Sequence, residues 1–68
     1  MSIATICAYD VIRHLSTPNG RKRYQAALKA GAQKFGALCV VAAEALPFLE
    51  TDAIYEVAAE AQAIRNAQ

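Results

Sequence analysis

Two cysteines, two prolines, three glycines and a single histidine are all that this 68-residue chain holds of the residue types from which small sites are usually built. There is no CxxC, HxxxH or ExxH spacing, so the three or four clustered ligands that a zinc or di-metal site requires are missing. Gly20, Gly31 and Gly36 are scattered and no glycine-rich loop follows a strand, which leaves no nucleotide cradle. His14 has Asp10 one helical turn before it, a spacing that suits an ion pair or hydrogen bond on a helix surface. As a catalytic dyad it lacks a nucleophile, because Ser2 and Ser16 lie near loops and neither cysteine is placed to use this base. Neither an enzyme nor a cofactor is expected.

Two cysteines make no disulfide framework. If the first two helices pack antiparallel, Cys7 falls opposite Leu28 and Cys39 lies about 16 Å further along at 1.5 Å per residue, whereas a disulfide needs its Cα atoms within about 7 Å. Reduced, buried thiols are expected.

Long apolar runs are also missing. The longest, Phe35 to Leu49, spans 15 residues and contains Glu44 and Pro47, short of the roughly 20 apolar residues of a membrane-spanning helix. The opening MSIATICAYDVI has no basic residue ahead of it and is interrupted by Asp10, unlike a secretion signal. A soluble cytoplasmic protein with no membrane partner is the expectation.

Hydrophobic residues make up 56% of the chain and charged residues 19%, which excludes disorder. A single domain, residues 1–68, follows from the length, and a domain this small hides only a modest fraction of its surface. The apolar surplus therefore favours a homodimer.

Ile3, Cys7, Val11, Ile12 and Leu15 recur at helical spacing, with Ser2 or Thr5 available as a cap. A helix over about 3–15 is expected, although the alternation Ile3, Thr5, Cys7, Tyr9 also suits a short strand. In Ser16-Thr17-Pro18-Asn19-Gly20, Thr17 can cap, Pro18 fits a first helical position and Asn19-Gly20 favours a turn. From there Tyr24, Leu28, Gly31, Phe35, Leu38, Ala42, Ala45 and Leu49 step by 4, 3, 4, 3, 4, 3 and 4. This heptad seam predicts one long helix over about 20–46, ended by Pro47. Gly31 and Gly36, inside it, imply close packing by a neighbour. Thr51 or Asp52 caps a last helix over about 52–67, carrying Ile54, Val57, Ala58, Ala61 and Ile64. The expected fold is all-α: a helical hairpin with the shorter N-terminal helix packed on it, completed by dimerisation.

Charge is segregated along the chain. Arg13, Arg21, Lys22, Arg23, Lys29 and Lys34 have no acid among them, whereas Glu44, Glu50, Asp52, Glu56 and Glu60 have no base among them. The net charge of +1 conceals two oppositely charged ends. Arg21, Lys22 and Arg23 stand at the start of the long helix, where its dipole disfavours cations. They are left as solvated charge, as a site for an external anion, or as a contact for the acidic end of a second copy. Tyr24 beside them would allow a nucleic-acid base to stack next to phosphate-binding cations.

Apolar residues also fall on the wrong side. Val40 faces nearly opposite the seam and Val41 is displaced by about a quarter turn, while Phe48 and Tyr55 flank the last loop as aromatic anchors. The expected function is that of a small protein-binding regulator, inhibitor or adaptor. It would present Val40, Val41, Phe48 and Tyr55 to a partner, with Arg21, Lys22, Arg23, Tyr24 and Lys29 steering an acidic target. The alternative is a nucleic-acid-binding regulator that uses Arg21, Lys22, Arg23 and Lys29.

Overall fold

A computed structural model describes residues 1–68, and every regular element in it is helical: α1 (Ile3–Leu15), α2 (Pro18–Lys29), α3 (Lys34–Ala45) and α4 (Thr51–Asn66). The strand alternative at the N-terminus is not adopted. Ser2 caps α1 by accepting the Thr5 N–H at 3.2 Å, and its carbonyl accepts the Ile6 N–H at 3.0 Å, so the first turn is closed before any alternation takes effect.

Thr17 caps α2 through the Gly20 N–H at 3.1 Å, with Pro18 as the first helical residue. The helix thus begins two residues before the expected start at 20, and Asn19-Gly20 is helical rather than a turn. Gly20 is needed for a different reason. A Cβ built there would lie 1.9 Å from the His14 carbonyl oxygen, so only glycine lets α2 start against the end of α1.

The long helix over 20–46 is corrected to two. Gly31 has φ +103°, and around it the Ala32 N–H bonds the Ala27 carbonyl and the Gly31 N–H bonds that of Leu28, each at 3.0 Å. This pairing is the Schellman arrangement, which closes a helix with glycine in the left-handed region. A Cβ on Gly31 would meet nothing within 4 Å, and one on Gly36 would meet only the Ala32 Cβ at 3.6 Å. Conformation, not close packing, explains the first glycine, and the second faces no close neighbour. An uninterrupted helix over 20–46 would run about 40 Å, yet the longest dimension of the whole molecule is 33 Å. The break folds α2 back against α3.

At the last helix, Glu50 occupies the N-cap position without a side-chain hydrogen bond, one residue before the expected Thr51 or Asp52. Asp52 nevertheless lies in the first turn and Arg65 in the last, as the helix dipole favours.

Cys7, Ala8 and Val11 of α1, Val41, Ala42 and Leu46 from α3 and its end, and Val57 and Ala61 of α4 form one core cluster. Only Leu38, Val11 and Val41 are large side chains that are completely enclosed. Alanines supply much of the remainder and let the helices approach closely. Both cysteines are free. No helix is long and apolar enough to cross a membrane.

Candidate interaction surface

Breaking the helix at Gly31 changes which charges meet. Glu44, expected at an acidic pole, is drawn to the basic residues: His14 Nε2 donates to its Oε1 at 2.8 Å, and Arg23 Nε donates to its Oε2. One carboxylate thus ties α1, α2 and α3 together. The hydrogen bond from His14, then that from Arg23, holds the Glu44 carboxyl below its ordinary range, against a smaller opposing effect of burial. The expected Asp10–His14 pair does not form. Asp10 pairs instead with Arg13 on the same helix, because His14 faces inward to α3.

The predicted basic site is accordingly divided. Arg23 is engaged by Glu44, and Tyr24 is partly buried, packs against the core, and carries the Arg65 guanidinium 5.4 Å from its ring centre. Arg21, Lys22 and Lys29 are exposed and take part in none of the three ion pairs. At the other pole Glu50, Asp52 and Glu56 are likewise exposed and unpaired. Glu60 accepts a long hydrogen bond from Thr5 Oγ1 at 3.5 Å.

The predicted apolar residues also divide. Val41 is fully buried in the core, which removes it from any exposed face. α3 packs against α1, α2 and α4, so its inward face widens from the seam residues Leu38 and Ala42 to include Ala37 and Val41, while Phe35 is left partly exposed. Val40, Phe48 and Tyr55 retain 42%, 75% and 52% of their accessible surface. Tyr55 is held by stacking on Phe35, with ring centres 6.4 Å apart and planes inclined by 22°.

A second apolar surface lies on α1. Ile3, read from the sequence as a core position, is 80% exposed, and Ile6 and Tyr9 are half-exposed beside it. Their signal was available: on a helical wheel Ile6 and Tyr9 fall on the side opposite Val11, where an amphipathic helix ordinarily carries polar residues.

Chemistry within the molecule is sparse. No three His, Cys, Asp or Glu side chains converge so as to hold a metal ion. Burial pushes the Cys39 thiol up from its ordinary value, which lowers its thiolate fraction and hence its nucleophilicity. No protein family model, curated protein or solved structure matches the chain.

Proposed function

We propose that the chain is a small non-enzymatic protein-binding regulator, of the inhibitor or adaptor kind, that works as a homodimer and acts by occupying the surface of a partner protein. The observation that carries this reading is the exposure of Val40, Phe48 and Tyr55 beside a core that encloses only three large side chains. An aromatic at 75% exposure on a folded domain leaves apolar area in water whose burial against a partner is favourable.

Charge favours a second copy as the first occupant. The unpaired cations Arg21, Lys22 and Lys29 and the unpaired acids Glu50, Asp52 and Glu56 occupy separate parts of the chain. A two-fold axis brings each set against its complement twice. A standard interface covers about 800 Å² on each partner, nearly a fifth of the 4485 Å² surface of this chain. Such a footprint is large enough to include charged residues besides exposed apolar ones such as Val40, Phe48 and Tyr55. In this reading Ile3, Ile6 and Tyr9 of α1, exposed in the single chain, meet the regulated protein. Cytoplasmic action accords with the two free thiols.

Protein is favoured over nucleic acid because Arg23 and Tyr24, the residues best suited to phosphate contact and base stacking, already have partners within the chain. Dilution followed by amide NMR tests the reading. Shifts concentrated at Val40, Phe48, Tyr55 and the charged poles are expected, and concentration-independent spectra over the micromolar range would count against it.

A further inference from the structure

Where α3 begins and α4 ends, the fold leaves a pocket of about 180 Å³ lined by Tyr24, Lys34, Leu38, Gln62, Arg65 and Asn66. We propose that this pocket is a binding site for a small phosphate-class oxyanion, which neither the charged poles nor the apolar surfaces above account for.

Its walls hold two cations and no acid. Neither Lys34 nor Arg65 belongs to any of the three ion pairs of the molecule, although six acidic residues are available to a chain with seven Lys and Arg. Arg65 is held in place by the Tyr24 ring, 5.4 Å from its guanidinium carbon, so its forked donors reach the pocket with part of their ordering cost already met. Gln62 and Asn66 contribute amide donors from the same face of α4, one helical turn apart.

The backbone contributes little to this field. α3 opens at Lys34 from Gln33, which makes no capping hydrogen bond, and its first turn contains no acid. The first N–H groups of that helix thus have no side-chain cap, and Lys34 of its first turn lines the pocket. The opposite-signed end of α4 is largely satisfied internally, since the Ala67 N–H bonds the Ala63 and Ile64 carbonyls and the Gln68 N–H bonds that of Arg65. That end still carries about half a negative charge, which offsets the positive end of α3, so the two cations set the sign of the pocket.

Size sets the ligand class. Pockets for drug-sized ligands run from about 300 to 1,000 Å³, so this one suits a single tetrahedral oxyanion or a monoester whose organic part remains outside. Leu38 is the only fully enclosed lining residue and offers little apolar grip for a larger ligand.

The test is an amide NMR titration of the full chain with inorganic phosphate and, separately, with O-phosphoserine, each against sodium chloride at matched ionic strength. Saturable shifts clustered at Tyr24, Lys34, Gln62, Arg65 and Asn66 are expected for both phosphates, with dissociation constants on the order of 1 mM. Lys34→Gln should weaken binding roughly tenfold and Lys34→Gln with Arg65→Gln should abolish saturation, while Lys29→Gln should leave it unchanged. If Arg65→Gln loses helical circular dichroism, Arg65→Lys paired with Lys34→Gln carries the comparison, and the expected result is again loss at Lys34. Inorganic phosphate alone saturating the site would mark a free-anion site, and tighter O-phosphoserine would mark a monoester site. Shifts no larger than those from chloride, spread equally to Arg21 and Lys22, or binding retained without Lys34 and Arg65, would overturn the proposal.

Discussion

His14 Nε2 lies 2.8 Å from Oε1 of Glu44, 30 positions further along the chain, while Arg23 occupies the other carboxylate oxygen. Three helices converge on one acid. Glu44→Gln removes the charge while keeping the shape, so it should lower the thermal midpoint, whereas Glu56→Gln, exposed and unpaired, should leave it nearly unchanged. The Glu44 carboxyl sits below its ordinary range in the folded chain, so its stabilising effect is complete above the unfolded-state value and is lost as pH falls through the folded one. The difference between wild type and Glu44→Gln should accordingly be full above the ordinary glutamate range and shrink as pH falls through the lowered folded-state value. Thermal melts across that range measure it.

Two glycines should respond oppositely to the same substitution. Gly31→Ala forces a side chain into φ +103° and should cost about 1–2 kcal/mol despite open space around it. Gly36→Ala, within α3 and with only an ordinary contact to the Ala32 Cβ, should stabilise by about 0.5–1 kcal/mol. Urea denaturation of both variants would show the opposite signs, and equal signs would mean that the break at Gly31 is not as described.

How far the chain discloses itself is clearest at these helix ends. Ser2 and Pro47 act locally and mark their boundaries, since a cap or a missing N–H needs no tertiary partner, whereas at Thr17-Pro18 the turn signal of Asn19-Gly20 sets the expected start two residues late. Gly31 escapes because the apolar spacing runs through it without interruption, and helical periodicity carries no record of one residue with positive φ. Val41, a quarter turn from the seam, is buried because three other helices pack on α3, which a wheel drawn for one helix does not show. The pairing of Glu44 with His14 and Arg23 was hidden by distance along the chain. Ile6 and Tyr9 were legible, and only the neatness of the Ile3-Cys7-Val11 stripe conceals them.

The core should be intolerant of truncation. Leu38 is 1% exposed, and Leu→Ala at such a site costs about 2–5 kcal/mol, against a total of about 3–10 kcal/mol for a domain of this length. Leu38→Ala should therefore unfold much of the population at 37 °C. Phe48→Ala, at 75% exposure, should alter the melting of a dilute sample little but should reduce the rise in midpoint with protein concentration that dimerisation produces.

Salt should act on association rather than on folding. With Arg21→Ala and Lys22→Ala together, self-association should weaken at low ionic strength and converge on wild type at about 1 M salt, where the screening length is about 3 Å. A variant that matches wild type at every ionic strength would exclude the basic end from the interface.

Sedimentation equilibrium of the intact chain at micromolar concentration bears most directly on the central claim, that the apolar surface left uncovered by four short helices is met by a second copy. The predicted mass is twice the 7.3 kDa of one chain, falling toward the single value on dilution and in Val40→Glu with Tyr55→Glu. A single-chain mass at every concentration and ionic strength would contradict it.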